Sequence, residues 1–173
     1  MSISLIDYLM EDGSPRVLTN QDLPDQRKLL EKFGDLFMLD NEKNREEFIK
    51  QMIKRENLGS TGIGKGYAIP HVRFHNIDNT KIGIIITNGT DYNAVDRRLI
   101  YIAIGIVSPD AGRDYITILG NISNVIKGGC LDEIMERAKV DKTIRPIELL
   151  EAISAYEKSK GVYPTRIESL KRR

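Results

Sequence analysis

Residues 99–107 constrain the fold more than any other part of this chain, because nearly all of them are apolar. A strand that is apolar on both faces has to be covered on both faces, so this run predicts a strand at the centre of a sheet. Segments with helical spacing of apolar residues alternate with this strand and with a few shorter ones. The sequence therefore predicts a single α/β domain with helices on both faces of the sheet. A length of 173 residues is enough for one well-buried core.

Apolar residues recur at helical spacing in six segments. These segments are residues 3–10, 23–37, 40–55, 115–126, 131–138 and 143–156. Pro24 is expected in the first turn of the second helix, and Thr143 is expected to cap the sixth. Besides the central strand, residues 67–69 and 82–87 are expected to be strands, 88–90 a turn and 72–80 a polar loop.

A glycine-rich run at residues 59–66 reads Gly-Ser-Thr-Gly-Ile-Gly-Lys-Gly and leads into Tyr-Ala-Ile-Pro-His, which ends at His71. Glycine allows close approaches that a β-carbon forbids, so such a run can turn its amide hydrogens toward an anion. Pro70 has a fixed φ and biases the residue before it toward an extended conformation. The pattern predicts a histidine held at the end of a short strand, beside an anion-binding loop.

Two interpretations of this run come from the residues alone. By composition it is a loop that connects a helix to a strand, which leaves His71 without a role. The spacing of Gly59, Gly64 and Lys65 also satisfies the Gly-x-x-x-x-Gly-Lys pattern of a phosphate-binding P-loop. In that motif the next residue is a Ser or Thr that binds magnesium, whereas here it is Gly66. The order of elements is also reversed, with a helix before the run and a strand after it, so nucleotide binding is disfavoured.

A third interpretation is a resemblance to a known family. The pair Arg55-Glu56, the Gly-Ser-Thr-Gly-Ile-Gly segment at 59–64 and the Ala-Ile-Pro-His segment at 68–71 resemble the signature of enzyme IIA domains of the mannitol/fructose class. These domains belong to the bacterial phosphoenolpyruvate-dependent phosphotransferase system, and the class includes a nitrogen-regulatory branch. The resemblance implies that His71 carries a phosphoryl group and that Arg55 lies near it. It also implies a mixed sheet rather than a purely parallel one.

The residues of the run and the resemblance together indicate how the phosphoryl group is bound. Negative charge spreads over the phosphoryl oxygens during such a transfer, so catalysis consists mostly of positioning and electrostatics. The donors expected to meet this charge are the hydroxyls of Ser60 and Thr61, the backbone amides of the turn that contains Gly62 and Gly64, and the Arg55 guanidinium. No metal ion, nucleotide or other cofactor is expected. The choice of reacting imidazole nitrogen is left open.

Tyr115 occupies a position at which the resemblance implies a different residue. In the family, the helix that corresponds to residues 115–126 begins with a second histidine followed by an apolar residue, and the apolar positions align Tyr115 with that histidine. An imidazole can orient and partly neutralise a phosphoryl group near neutral pH, whereas a phenol with a pKa of about 10 only donates a neutral hydrogen bond. The substitution therefore leaves acceptance on His71 available but argues against efficient onward transfer.

The charges of the chain are almost balanced, with 26 basic and 25 acidic residues, which argues against nucleic acid or a membrane as the main partner. No segment has the length of a membrane span or the pattern of an export signal, and the single cysteine, Cys130, excludes an intramolecular disulfide framework. A cytoplasmic location is expected. His71 and His75 are spaced as zinc ligands on a helix would be, but their segment lacks a helical pattern, so no metal site is expected.

The predicted domain organisation divides the chain at residue 154. Residues 1–154 are expected to form the IIA-like domain, and residues 155–173 a C-terminal tail with six basic and two acidic residues. This basic tail is expected either to be a solvated end or to dock onto an acidic partner.

Three functions are compatible with the resemblance, and the first two make the protein a phosphotransferase that is phosphorylated by a small HPr-like carrier. In the regulatory mode, the phosphorylation state of His71 alters binding to another protein. In the phosphocarrier mode, the group passes to a IIB domain of a sugar transporter. The third alternative is a degenerate relative that binds a partner without being phosphorylated. Tyr115 and the absence of an attached transporter domain favour the regulatory mode.

Overall fold

The computed structural model describes residues 3–10, 13–37 and 40–165. Within these ranges one helix and one strand are followed by two helices, five strands and three helices. In chain order they are α1 (Leu5–Leu9), β1 (Val17–Gln21), α2 (Gln26–Leu36), α3 (Glu42–Asn57), β2 (Gly62–Gly64), β3 (Tyr67–Ala68), β4 (His71–Arg73), β5 (Lys81–Thr90), β6 (Ile100–Ser108), α4 (Tyr115–Lys127), α5 (Asp132–Lys139) and α6 (Pro146–Ser159). No helix within these ranges combines the length and the apolar character needed to cross a membrane.

The strands of the described residues form one mixed sheet with β5 and β6 at its centre. The strand order is β1, β5, β6, β3, β2, and β4 also pairs with β6. Strand β6 is antiparallel to β5 and parallel to both β3 and β4. The predicted fold class, a mixed central sheet with helices on both faces, is confirmed. The central position predicted for residues 99–107 is also confirmed.

Alternate residues of β6 face two separate hydrophobic cores. Ile102, Ile104 and Ile106 face the core formed with α1, α4, α5 and α6, whereas Ala103 and Val107 face the core formed with α2 and α3. Both faces of the strand are therefore covered, which is the arrangement that its apolar sequence requires.

Strands β3 and β4 lie along the same side of β6 and are separated by Ile69 and Pro70. Both pair in parallel with β6. Proline has no amide hydrogen, so the ladder is interrupted at Pro70, although its carbonyl oxygen still accepts a hydrogen bond from the Ile106 amide at 2.9 Å. His71 is therefore the first residue of a new strand rather than the end of the predicted one.

Two strands continue into segments predicted to lie outside the sheet. Val72 and Arg73 pair with β6, so the predicted polar loop at 72–80 begins two residues late. The predicted turn at 88–90 lies within β5, which continues to Thr90 past an irregular register. In both cases pairing with the apolar β6 extends strands whose own sequences are polar.

The strands at the edges of the sheet are not predicted by their sequences. Strand β1 has two apolar residues followed by Thr-Asn-Gln, so it shows no alternating pattern. Strand β2 lies within the glycine-rich run, whose composition is typical of a loop. These two strands depend on their partners, β5 and β3, rather than on their own residues.

The start of α2 differs from the prediction because a better capping residue lies nearby. The Asp25 side chain accepts a hydrogen bond from the Lys28 amide at 2.9 Å, and the helix begins at Gln26. Aspartate is a strongly preferred N-cap, so Pro24 precedes the helix instead of lying in its first turn. The cap predicted for α3 within residues 40–44 is confirmed as Asn41.

The last helix, α6, starts and ends later than predicted. Pro146 is its first residue, and Glu148 accepts a hydrogen bond from the Arg145 amide at 2.8 Å, so Thr143 is not the cap. The helix continues to Ser159.

The first part of the predicted tail therefore belongs to the folded domain. Glu157 is buried and accepts hydrogen bonds from the Ser4 hydroxyl at 2.7 Å and the Leu5 amide at 2.5 Å, which joins α6 to the start of α1. Residues 166–173, which carry most of the predicted basic charge, lie outside the described residues.

Candidate functional site

His71 lies at the start of β4, and its half-buried imidazole has two distinct nitrogen environments. The Nδ1 atom lies 2.6 Å from the Ile69 carbonyl oxygen. A carbonyl oxygen can only accept a hydrogen bond, so Nδ1 carries the hydrogen of the neutral ring. The lone pair is therefore on Nε2.

The surroundings of His71 favour the neutral ring. Burial lowers its pKa below the ordinary histidine value, and the Arg55 guanidinium lowers it further, whereas the bond to Ile69 and the Glu56 carboxylate act in the opposite direction. At neutral pH the ring is uncharged, and Nε2 can act as a nucleophile without first losing a proton.

Arg55, in the last turn of α3, places a guanidinium beside this nitrogen. Its Nη2 atom lies 3.3 Å from Nε2 of His71. Its Nη1 atom donates a hydrogen bond to the Gly59 carbonyl oxygen at 3.0 Å, which fixes the guanidinium against the glycine-rich run. The prediction that Arg55 lies near His71 is therefore confirmed. A guanidinium at this position can stabilise negative charge on a group bound to Nε2.

Glu56, the next residue of α3, is hydrogen-bonded to the glycine-rich run through its carboxylate. Its buried carboxylate accepts hydrogen bonds from the amide of Thr61 at 2.9 Å, from the hydroxyl of Thr61, and from the hydroxyl of Tyr92 at 2.7 Å. Burial raises the pKa of Tyr92 well above its ordinary value, and the Glu56 carboxylate raises it further, so Tyr92 remains a donor. The end of α3 thus directs Arg55 to the histidine and Glu56 to the loop.

The amides of the glycine-rich run are largely paired within the protein. The Gly62 amide donates to the Ser60 hydroxyl oxygen at 3.1 Å, and the Lys65 amide donates to the Asp96 carboxylate at 2.9 Å. The amide and the hydroxyl of Thr61 both donate hydrogen bonds to the Glu56 carboxylate. Two of the amides, those of Thr61 and Lys65, therefore bind carboxylates of the protein itself. Thr61 and the Gly62 amide therefore have structural roles in place of the predicted phosphoryl contacts.

Two glycines of the run serve packing and chain reversal. A β-carbon at Gly62 would lie 2.7 Å from that of Ala94, so only glycine fits this close approach. Gly64 has a φ of +99° and pairs with Tyr67. Tyr67 precedes His71 by four residues of extended chain, roughly 13 Å at about 3.3 Å per residue. The structure therefore does not bring Gly64 to the histidine.

Ser60 is the predicted donor of the run that remains available. It lies next to Thr61, whose carbonyl oxygen accepts a hydrogen bond from the Ile69 amide at 3.0 Å, close to the histidine along the chain. The Ser60 oxygen accepts the Gly62 amide, so its own hydrogen remains available for donation.

Tyr115, the first residue of α4, packs beside His71, and the centroids of the two rings are 5.8 Å apart. Tyr115, the residue that was aligned with the family's second histidine, therefore contacts His71. Burial raises the pKa of Tyr115, whereas the guanidinium groups of Arg55 and Arg73 lower it, so the phenol stays protonated at neutral pH. Its hydroxyl makes no hydrogen bond to any residue that the structure describes.

Arg73 is a site residue that the sequence analysis missed. Its Cζ atom lies 4.8 Å from the centroid of the Tyr115 ring. Its Nη1 atom donates hydrogen bonds to three carbonyl oxygens of the segment 109–112, at 3.0, 3.1 and 3.2 Å. Alternate residues of a strand point to the same side of a sheet, so a strand here would have placed Arg73 on the same side as His71. This relation was missed because residues 72–80 were predicted to be a polar loop.

His75 is not part of this site. It is exposed, and its Nε2 atom lies 3.6 Å from a carboxylate oxygen of Glu47. Within the described ranges, no three His, Cys, Asp or Glu side chains are grouped as metal ligands.

The mixed α/β fold and the contact between Arg55 and His71 agree with the motif resemblance to IIA domains of the phosphotransferase system. The profile of the family described as phosphoenolpyruvate-dependent sugar phosphotransferase system, EIIA 2, matches residues 14–154. The chain belongs to this family.

Individual relatives agree with this assignment. The nitrogen regulatory protein of Pseudomonas aeruginosa is 24% identical over 141 residues, which are 80% of this chain and 86% of that protein. The crystal structure of nitrogen regulatory protein IIA-Ntr from Neisseria meningitidis matches with a TM-score of 0.67 and 20% identity, over 80% of this chain and 92% of that one. A chain of the Escherichia coli complex of enzyme IIA mannitol with phosphorylated enzyme IIB mannitol matches with a TM-score of 0.62 and 15% identity, over 81% of this chain and 94% of that one. The two structural matches show a shared fold.

Proposed function

We propose that this protein is a cytoplasmic phosphoryl acceptor that is phosphorylated on Nε2 of His71 by a small HPr-like carrier, and that its phosphorylation state regulates binding to another protein. The observation that carries this proposal is the pair of contacts on the imidazole. The Ile69 carbonyl holds the hydrogen on Nδ1, and the Arg55 guanidinium lies 3.3 Å from Nε2.

In the proposed step, the Nε2 lone pair of His71 attacks the phosphorus carried by a histidine of the donor. A nitrogen–phosphorus bond forms on His71 as the donor's nitrogen–phosphorus bond breaks, and its electron pair returns to the donor imidazole. Each imidazole keeps its other N–H, so no net proton transfer is required. The Ile69 carbonyl then stabilises the Nδ1 hydrogen of a ring that has become more positive.

The surrounding donors meet the negative charge of the transferred group. Arg55 offers a fixed guanidinium, Ser60 a hydroxyl hydrogen and Tyr115 a phenol without another described partner. Removing the Arg55 guanidinium, the donor fixed beside Nε2, is expected to cost about 10²–10³ in rate, as for other donors aimed at developing charge.

Exposed apolar side chains beside the site support a protein as the donor. Leu58, at the end of α3, is 81% exposed, and Ile116, next to Tyr115, is 71% exposed. Large exposed apolar side chains of this kind can form the apolar centre of a protein–protein contact. A small phosphorylated metabolite would have no need of them.

Tyr115 supports the regulatory mode. A neutral phenol beside His71 cannot take a proton near neutral pH as an imidazole would, so it offers less help to a departing phosphoryl group. The nitrogen regulatory protein of Pseudomonas aeruginosa, a relative of this chain, bears a regulatory name. The phosphocarrier mode is the second candidate, because a structural neighbour is a IIA mannitol enzyme seen in complex with phosphorylated IIB.

The test is phosphorylation in a reconstituted relay. Phosphoenolpyruvate, the first enzyme of the system and its HPr-like carrier are expected to add one acid-labile phosphate, detected by intact-protein mass spectrometry. His71→Ala should abolish the label, and the matched control His75→Ala should keep it. Label that persists in His71→Ala would contradict the assignment, and an unlabelled wild type would favour a degenerate partner-binding domain.

A chase with a purified IIB domain separates the two active modes. Slow transfer from the wild type, accelerated by Tyr115→His, supports the regulatory mode and the proposed role of position 115. Rapid transfer from the wild type would instead favour the phosphocarrier mode.

A further inference from the structure

We propose that Tyr115 and Arg73 form the second half of the phosphoryl-binding site, with the Tyr115 hydroxyl donating to a phosphoryl oxygen and the Arg73 guanidinium supplying a permanent positive charge. This inference rests on the proposed phosphorylation of His71. It assigns to an arginine the charge that a histidine at position 115 would provide only when protonated.

Strand β4 presents two residues of the site on one face. His71 and Arg73 are two residues apart on one strand, so their side chains leave the same side of the sheet, about 7 Å apart at about 3.3 Å per residue. Tyr115 contacts both, with its ring centroid 5.8 Å from that of His71 and 4.8 Å from Cζ of Arg73. The two cations, Arg55 and Arg73, therefore approach the His71–Tyr115 pair from different elements.

The charge of Arg73 is held in a fixed position by backbone carbonyl groups. One nitrogen, Nη1, donates to three carbonyl oxygens of the segment 109–112. Carbonyl oxygens hold the guanidinium without neutralising it, and no described carboxylate forms an ion pair with Arg73. Its Nε and Nη2 hydrogens have no described hydrogen-bond acceptor, so they remain available to an incoming anion.

Two carboxylates, those of Glu56 and Asp114, belong to the elements that pack around the His71–Tyr115 pair. Glu56 of α3 is occupied by Thr61 and Tyr92. Asp114, which precedes Tyr115, accepts hydrogen bonds from the hydroxyls of Thr80 at 2.8 Å and of Tyr8 at 2.5 Å.

Neither of these carboxylates is hydrogen-bonded to a group of the site formed by Arg55, His71, Arg73 and Tyr115. The charged groups in direct contact with the His71–Tyr115 pair are therefore the guanidinium groups of Arg55 and Arg73. Guanidinium groups stay protonated at all physiological pH values.

The consequence is a specific pH behaviour. With an imidazole at position 115, the positive charge at that position would be lost as the pH rises through about 6.5. With Arg73 supplying the charge, the positive charge on this side of the site is kept across that pH range.

The experiment measures initial rates of acceptance from the phosphorylated carrier between pH 5.5 and 8.5, each divided by the wild-type rate at the same pH. Arg73→Gln is expected to be slowed at least tenfold at every pH. Arg73→Lys, which keeps the charge but not the planar fork, should recover part of the loss. Arg113→Gln is the matched control, because it removes an exposed arginine that directly follows the segment 109–112 and forms no described ion pair.

The double variant Arg73→Gln with Tyr115→His distinguishes charge from structure. If Arg73 supplies charge, the introduced imidazole restores acceptance when protonated, so the relative rate should rise at least threefold below about pH 6.5 and stay low at pH 8. A merely structural role for Arg73 would give a relative rate that remains low at every pH, and this result would overturn the proposal.

Tyr115→Phe tests the hydroxyl separately, because it keeps the ring on which Arg73 stacks and removes the donor. A decrease of about threefold to tenfold is expected. Arg73→Gln and Tyr115→Phe rates within twofold of the wild type would reject this inference while leaving the phosphorylation of His71 intact. A wild-type protein that accepts no phosphate would reject the proposed function and this inference together.

Discussion

Replacing Tyr92 with phenylalanine tests whether Glu56 fixes the glycine-rich run that precedes His71. The Glu56 carboxylate accepts two hydrogen bonds from Thr61 and one from the Tyr92 hydroxyl at 2.7 Å. The Tyr92 ring is fully buried in the core formed with α2 and α3. Phenylalanine preserves this packing, so the substitution removes only the hydroxyl group.

The magnitude follows from the chemistry of this hydrogen bond. A hydrogen bond to a charged group contributes about 1.5–3 kcal/mol to stability. Glu56 keeps its two bonds from Thr61, so the variant does not leave a buried carboxylate unpaired. We therefore expect the free energy of unfolding to fall by about 2 kcal/mol, which for a chain of this length lowers the melting temperature by about 4–8 °C. Glu56→Ala should cost at least twice as much, because it leaves the Thr61 amide without an acceptor and leaves the hydroxyls of Thr61 and Tyr92 only each other as partners.

Urea unfolding followed by circular dichroism measures this difference. Tyr156→Phe is the matched control, because its hydroxyl donates to the Asn124 carbonyl at 3.1 Å near the surface and should contribute no more than about 0.5 kcal/mol. Acceptance of phosphate should be nearly unchanged in Tyr92→Phe and slowed in Glu56→Ala, since only the second change releases the run. A loss in Tyr92→Phe as small as that of the control would refute the reasoning about the buried carboxylate.

Three further predictions concern the site and the sheet. Arg55→Ala should slow acceptance of the phosphoryl group about 10²–10³-fold. It should also raise the pKa of His71, because the guanidinium lowers that pKa. Rapid-quench kinetics measures the rate and NMR titration the pKa, and unchanged values would remove Arg55 from the site. Because the folded pKa of His71 lies below its ordinary value, the stability linked to its neutral ring is complete above pH 6.5 and decreases as the pH falls through the folded pKa. An NMR pKa at or above 6.5 would contradict this. Gly105→Ala should destabilise by about 1–3 kcal/mol, because a β-carbon would lie 2.5 Å from an aromatic ring of α2. Gly120→Ala, a control in α4 with nothing within 4 Å, should instead stabilise slightly in the same urea assay.

The sequence predicted those parts of the fold that depend on residues close together in the chain. The apolar run of β6 requires cover on both faces, and it lies at the centre of the sheet. The helical spacing of α4 placed Tyr115 at its first residue, and the motif placed Arg55 near His71; both placements agree with the structure. These features depend on the order of a few neighbouring residues.

Features that depend on distant partners were not predictable in this way. The amide of Lys65 is bound by Asp96, a residue 31 positions away, so the glycine-rich run looked like an open anion site. Nothing in the sequence around Tyr92 pointed to a role, although its hydroxyl binds Glu56 36 positions away. Arg73 was assigned to a loop because its strand is defined by pairing with β6.

The pairing of the glycine-rich run with the protein's own carboxylates bears on how this site functions. Amides held by Glu56 and Asp96 cannot turn toward a phosphoryl group without leaving two carboxylates under-bonded, so the charge on that group has to be met mainly by side chains. Side chains can be exchanged without changing the path of the backbone. A tyrosine can therefore replace a histidine at position 115 while His71 keeps its bond to Ile69 and its contact with Arg55. On this view the run sets where the histidine lies, and the residues at positions 73 and 115 set how long a phosphoryl group stays there.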